Sequence, residues 1–221
     1  MAQKVAARKT TNRRSESAAL RRTAIINAAL DEFVEKGFAA ARMEDIARRA
    51  GVAKGTIYLN FSDKEALFEA IVKQEIRPKV DTAASVAASG GSLREFFELT
   101  LLPVLDDVVG TRRGAVLRLL IGEAGRFPKL AEVYYRVVVQ PGLDAIRKLV
   151  QSATERGELG DDMLVEFPQL LIAPMLLAVI WTGLFERFHH LDVNRMAQAY
   201  FGHMVASGGQ TKETRSARDT R

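Results

Sequence analysis

From Arg21 to Ala206 the apolar residues of this 221-residue chain recur at intervals of three and four, and nowhere do they alternate as in a half-buried strand. That spacing lines one side of successive helices and predicts an all-α protein. Gly and Pro cut the pattern into pieces. The first predicted helix runs from Arg21 to Lys36, with Ile25, Ala28, Ala29, Phe33 and Val34 on one face and Gly37 behind it to supply a left-handed end residue. Short helices follow at Met43 to Ala50 and Lys54 to Asn60. A fourth starts after Ser62, read as an N-cap with Glu65 completing a capping box, and stops before Pro78. Asp81 to Gly91 reads as a small-residue linker. Beyond it, helical stretches are expected at Ser92 to Val109, Arg113 to Arg126, Pro128 to Arg156, Met163 to Phe188 and Asp192 to Ala206, about nine helices in all. Pro103, Pro141, Pro168 and Pro174 should bend or restart them.

The charge is unevenly placed. Residues 1–80 hold 16 Lys and Arg against 10 Asp and Glu, and residues 81–221 hold 16 against 17, so the formal excess of +5 belongs to the first third. A basic end on a near-neutral body points to a polyanion there, nucleic acid or an anionic membrane surface. The absence of Cys excludes disulfide frameworks, thiolate zinc sites, iron–sulfur clusters and thiol nucleophiles, and fits a cytoplasmic protein. The apolar stretch Ala24 to Leu30 is broken by Asn27 and runs into Asp31, a poor signal-peptide core, so no export is expected. Phe167 to Phe185 is uncharged over 19 residues, near the roughly 20 that a bilayer needs. It carries Pro168, Gln169, Pro174, Thr182 and Gly183 without basic flanks, and reads as a helix buried in the core and against a partner subunit.

In Met43 to Phe61, MEDIARRAGVAKGTIYLNF, two short helices are separated by too few residues for an ordinary loop, which is the spacing of a helix-turn-helix. Ala47 must be small where the helices cross, Gly51 suits a turn residue with positive φ, and Ile46, Val52, Ile57 and Phe61 supply the apolar wedge. Such a unit pushes the exposed face of its second helix into a major groove roughly 12 Å wide. With Ile57 and Phe61 turned to the core, Lys54, Thr56, Tyr58, Leu59 and Asn60 face outward, and Gly55 permits close backbone approach. Lys64, Arg42, Arg48 and Arg49 flank them as candidate phosphate contacts, and a phosphate is the expected partner of Tyr58. Short helices joined by a Gly turn also occur in helical proteins that never touch DNA. The alternative is therefore a helical sensor or binding module docking a protein or membrane surface.

The same residues carry a resemblance. From about Arg21 to Val72 the chain resembles the TetR/AcrR family of bacterial transcriptional regulators, through AALDEFVEKGF and then MEDIARRAGVAKGTIYLNFSDKEALF. The resemblance implies a homodimer whose N-terminal modules bind a double-stranded, palindromic DNA operator and whose larger helical domain binds a small-molecule effector, most simply as a repressor. It implies a DNA-binding domain at 20–66 and an effector-binding and dimerisation domain at 67–206; residues 1–19, with little apolar periodicity and many Lys, Arg, Thr and Ser, read as a flexible basic arm, and 207–221 reads the same way as a disordered tail. The resemblance places DNA contacts at Lys54, Gly55, Thr56, Tyr58 and Lys64. Arg42 stands where the family has a Ser or Thr cap, and Leu59 and Asn60 replace His or aromatic residues. The segment RLLIGEAGRFPKLAEVYYRVV, Arg118 to Val138, resembles an E-x-x-R-F-P-x-L stretch of one branch of the family; read by spacing alone, Glu123 and Arg126 form a helix-surface pair.

Aromatic and Met residues gather beyond residue 95, and a cavity among them is expected to take an apolar or aromatic effector, with Phe96, Phe97, Arg118, Glu123, Tyr134, Tyr135, Met175 and Trp181 as candidate lining. Leu170 to Phe185 is apolar on more faces than one chain can cover, so Leu177, Phe185, Met196, Tyr200 and Met204 are the candidate dimer contacts of a four-helix bundle. No catalytic motif is present: the three His are His189, His190 and His203, there is no GxSxG, HExxH or P-loop, and neither a metal nor a cofactor is expected.

Overall fold

The computed structural model describes residues 2–108, 111–159 and 163–216, and every regular element among them is helical. The N-terminal unit comprises α1 (Ala2–Ala40), α2 (Met43–Arg49), α3 (Lys54–Asn60) and α4 (Lys64–Glu75). The body comprises α5 (Arg77–Ala88), α6 (Leu93–Phe96), α7 (Leu102–Val108), α8 (Arg112–Glu123), α9 (Pro128–Tyr134), α10 (Gln140–Glu155), α11 (Met163–Glu166), α12 (Ala173–Leu184) and α13 (Val193–Ser216). Two π turns, Phe97–Leu101 and Tyr135–Val139, fuse α6 to α7 and α9 to α10, and a 3₁₀ turn, Pro168–Ile172, leads into α12. Each π turn stands just before a proline, Pro103 or Pro141, which has no N–H to give and whose ring displaces the carbonyl four residues back. The ladder slips by one residue there: Leu102 N–H donates to Phe97 O and Gln140 N–H to Tyr135 O.

Several expectations are corrected. The described residues form thirteen α-helical segments, more than the expected nine or so, because the prolines subdivide long stretches and because the supposed linker at Asp81 to Gly91 is mostly α5. Its small residues are a packing face: Val80, Ala83 and Ala87 are buried, and small side chains let α5 lie close to α10. The expected arm at 1–19 continues α1 from Ala2, since no Gly or Pro interrupts it before Gly37 and Ala, Arg, Lys and Glu favour helix. The tail expected from 207 is helical to Ser216, and 217–221 lie outside the described residues. The cap of α4 is Asp63, whose Oδ1 accepts from Ala66 N–H at 2.7 Å, while Ser62 only donates to Asp63. The apolar stretch 167–185 is broken by the 3₁₀ turn, and no helix among the described residues is long and apolar enough to cross a membrane.

The apolar row of α12 is uncovered: Leu176, Leu177, Ile180 and Leu184 are exposed, and Phe185 and Phe188 extend it. On α13, by contrast, Met196 and Met204 pack against the body's own core and Tyr200 donates to Leu170 O at 2.8 Å. Those three candidate dimer residues therefore serve the fold of a single chain first, because the strongly apolar α12 needs a partner helix on its inner side as well.

The N-terminal unit and the body share one core across the boundary expected at 66. Phe38 sits at its junction, fully buried, with ring centroids 5.0 Å from Phe33, 6.5 Å from Phe68 and 5.0 Å from Phe127. Its backbone is held as well. Phe38 N–H donates to Glu123 Oε1 at 3.1 Å, and Lys64 Nζ donates to Phe38 O at 2.5 Å and Ala39 O at 3.1 Å while lying 4.8 Å over the Phe38 ring. Glu123 thus does not pair with Arg126, as spacing suggested; it closes the end of α8 onto the chain that leaves α1. Gly37 makes this turn possible with φ 79 and ψ 160, a region that is essentially glycine-only. An added Cβ would lie 2.8 Å from Glu123 Oε1.

Gly37→Ala should therefore destabilise the protein by about 1–3 kcal/mol from backbone strain alone, with a further cost from the collision. In a urea-unfolding cycle with Glu123→Ala, the double variant should be more stable than the sum of the singles by more than about 0.5 kcal/mol. Strict additivity would show that Glu123 does not press on this turn.

Candidate functional site

The turn between α2 and α3 is built by backbone geometry. Gly51 adopts φ 67, Gly51 N–H donates to Arg48 O and Val52 N–H reaches back to Ala47 O at 3.0 Å, a Schellman closure that fixes the direction of the next helix. Ile46, Ala47, Ile57 and Phe61 are buried and Val52 packs against the same core, so α3 is wedged by its inner face. Arg42, the N-cap of α2, makes no side-chain cap bond, which forgoes roughly 1 kcal/mol. Ionic contacts hold α2 to α1 instead: Arg49 Nη1 lies 2.9 Å from the buried Glu32 and 2.6 Å from Glu35, and Lys36 Nζ lies 3.5 Å from Asp45. Arg49 and Arg48, the latter paired with Asp45 at 2.5 Å, are thereby engaged within the protein.

The outer face of α3 presents Lys54, Gly55, Tyr58, Leu59 and Asn60 to solvent, with Thr56 half-buried and Leu59 87% exposed. Lys54 Nζ pairs with Glu44 Oε1 at 2.8 Å, and Tyr58 Oη donates to the same oxygen at 3.4 Å. Hydrogen bonding to Glu44 holds the Lys54 ammonium above its usual pKa, and hydrogen bonding from Lys54 draws the Glu44 carboxyl below its own. Glu44 thus engages both polar side chains at this end of α3. Asn60 gives its amide to Thr56 O at 2.8 Å. Lys64 stands apart from this face, its ammonium bound to the two carbonyls at the end of α1.

A second site lies in the body, a cavity of about 310 Å³ walled by α5, both π turns, α8, α9, α10 and the approach to α12. Of the candidate lining residues, Phe96, Tyr134 and Met175 are on its wall. The other five are elsewhere. Phe97 stacks on Phe201 at 4.2 Å, Tyr135 is exposed, Trp181 donates its indole N–H to His189 O, Arg118 packs beside Gly183, and Glu123 holds Phe38. Adjacent helix positions point about 100° apart, so only one of each neighbouring aromatic pair can face inward. Sequence reasoning missed Val104, Leu117, Leu143 and Ile146, aliphatic positions indistinguishable from ordinary core, the hydroxyl-bearing Thr100, and the cationic Lys79 and Arg113. Both cations turn to one acid, Asp107, Lys79 at 2.5 Å and Arg113 at 3.0 Å. No group of His, Asp or Glu among the described residues is arranged to hold a metal ion.

Residues 25–71 match the family model for bacterial regulatory proteins of the tetR family, and residues 87–200 match that for the Tetracyclin repressor-like C-terminal domain. The HTH-type transcriptional regulator YdeS of Bacillus subtilis strain 168 is 30% identical over 161 residues, 72% of this chain and 78% of its own length. Among solved structures, NalD, the secondary repressor of the MexAB-OprM multidrug efflux pump in Pseudomonas aeruginosa, superposes with a TM-score of 0.68 at 26% identity, covering 86% of this chain and 95% of NalD. SmeT from Stenotrophomonas maltophilia, in complex with triclosan, has the same fold, with a TM-score of 0.73 at 18% identity over 85% of this chain and 90% of SmeT. The wedge beneath α3, the apolar cavity and these matches across both halves agree, and the chain belongs to the TetR family of bacterial regulatory proteins.

Proposed function

We propose that the protein is a sequence-specific transcriptional regulator that acts in the cytoplasm as a homodimer and leaves a palindromic operator when a small apolar molecule fills its cavity. The observation that carries this reading is the outer face of α3, where Lys54, Tyr58, Leu59 and Asn60 stand exposed on a helix whose inner face is locked by Ile57 and Phe61. Lys54 and Tyr58 are suited to phosphate, exchanging Glu44 for the DNA backbone. Leu59 can offer a groove only methyl groups, and the matching feature on a base edge is the thymine C5-methyl. The uncovered row Leu176, Leu177, Ile180 and Leu184 on α12 supports pairing of two copies, with Leu177 and Phe185 in the contact.

Release follows from where the cavity wall ends. Leu117 of α8 and Tyr134 of α9 line it, and the corner between those helices carries Glu123 and Phe127, which grip Phe38 beneath the DNA-facing unit. A guest that shifts this corner tilts both recognition helices away from half-sites about 34 Å apart.

Selection from random duplexes should return a palindrome, bound with an affinity that falls steeply with salt. On that duplex Lys54→Ala should flatten the logarithmic salt slope by about one, whereas Glu44→Gln should tighten binding by freeing Lys54 and Tyr58. Recovery of no preferred sequence would remove the proposal. Replacing thymines of the selected site one at a time by deoxyuridine should weaken binding at one position per half-site, and Leu59→Ala should abolish that sensitivity. If every methyl is dispensable for the parent protein, Leu59 is not a reader.

A further inference from the structure

Four hydroxyls inside the helices among the described residues share a habit. Thr82 donates to Pro78 O at 3.0 Å, Ser85 to Asp81 O at 3.0 Å, Thr154 to Val150 O at 2.9 Å and Thr182 to Ala178 O at 2.7 Å, each to the carbonyl one turn back. Thr100 breaks it. It is 7% exposed, its Oγ1 is buried without a hydrogen-bond partner, and it lies on the wall of the 310 Å³ cavity. The π turn that contains it explains how: with the ladder slipped by one residue ahead of Pro103, the side chain no longer follows the usual line to the carbonyl four positions back. An orphaned buried hydroxyl is costly; Oγ1 is closed off in this position, and a turn about χ1 on the cavity wall would bring it to the polar atom of a guest.

Its surroundings narrow the guest. Apart from Gln169 at the approach to α12 and two cations, the wall is otherwise aliphatic and aromatic, and the second hydroxyl on it, that of Tyr134, makes no hydrogen bond among the described residues. Burial pushes the Tyr134 phenol up to about 12, so it stays protonated and can donate. The two cations on the wall are already committed to both oxygens of Asp107, and Arg113 also donates to Glu75 O at 2.8 Å. A carboxylate or phosphate entering here would compete with that acid and leave its charge among apolar side chains.

We infer that the effector is an uncharged, largely hydrocarbon molecule bearing one hydroxyl or carbonyl, and that Thr100 selects it by bonding to that group. The inference rests on the cavity being the effector site. At about 310 Å³ the space lies at the small end of known ligand sites, so compact molecules are suitable probes. Calorimetry on the full chain at neutral pH would compare 1-naphthol, naphthalene and 2-naphthoate. The expected result is 1-naphthol binding about tenfold more tightly than naphthalene, with 2-naphthoate the weakest. Thr100→Val should bring the naphthol-to-naphthalene ratio to near one while leaving naphthalene affinity unchanged. Thr100→Val should also raise the unfolding temperature of the unliganded protein, because it removes an unsatisfied hydroxyl. Tyr134→Phe is the second variant, and should lower naphthol affinity alone.

Equal binding of naphthol and naphthalene by the parent protein, or a ratio untouched by Thr100→Val, would overturn the selector role while leaving the cavity as a binding site. Tighter binding of 2-naphthoate would overturn the neutral class. If none of the three binds, the cavity reading fails and takes this inference with it.

Discussion

Phe38 is the residue on which the arrangement of the two halves depends. Its ring meets Phe33 of α1, Phe68 of α4 and Phe127 at the start of α9, so removing it would loosen the apolar core that the N-terminal unit shares with the body. Its backbone adds directionality that apolar packing lacks, since the N–H is held by Glu123 and the carbonyl by Lys64. Truncating a buried aromatic of this kind typically costs about 3–5 kcal/mol. The polar contacts fix which way the unit sits, and together they make the direction of α3 depend on the position of the corner between α8 and α9.

The helical framework was legible because it rests on local rules. α3 spans Lys54–Asn60, the range that four-residue spacing of Ile57 and Phe61 implies, and Gly37 and Gly51 take the positive φ their positions call for. Misreadings came where two local rules compete or where small residues disguise a packing surface. Ser62 and Asp63 are both good caps, and the carboxylate, the stronger acceptor, took the helix end. Ala83 and Ala87 look like linker residues because they carry little apolar area, yet they are buried because closeness to α10, not side-chain bulk, is what they contribute.

The sites divide in the same way. The outward-facing residues of α3 lie within one short helix on either side of Ile57, so periodicity alone separates them from the wedge. Their internal partners were invisible, because Glu44 meets Lys54 only through the crossing of two helices and Lys64 meets Phe38 only through the fold. Aromatic content was a poor guide to the cavity, since Phe97, Tyr135 and Trp181 serve other contacts, and its wall draws on segments from Ile76 to Leu176. The sequence signal that did mark the wall was indirect: the two interior prolines, Pro103 and Pro141, each stand just beyond a slipped turn that borders the space.

Those slipped turns give the body a way to diverge that point substitution does not offer. A π turn houses one residue beyond what an α-helix needs. Losing that residue from 97–101 or 135–139 would restore a regular ladder and rotate the flanking side chains by about 100° relative to one another. The helix axes would remain nearly where they are. A single codon deletion or insertion can thus re-index which side chains face a guest, and descendants of this scaffold can trade one chemical preference for another while keeping the same external shape and the same grip on Phe38.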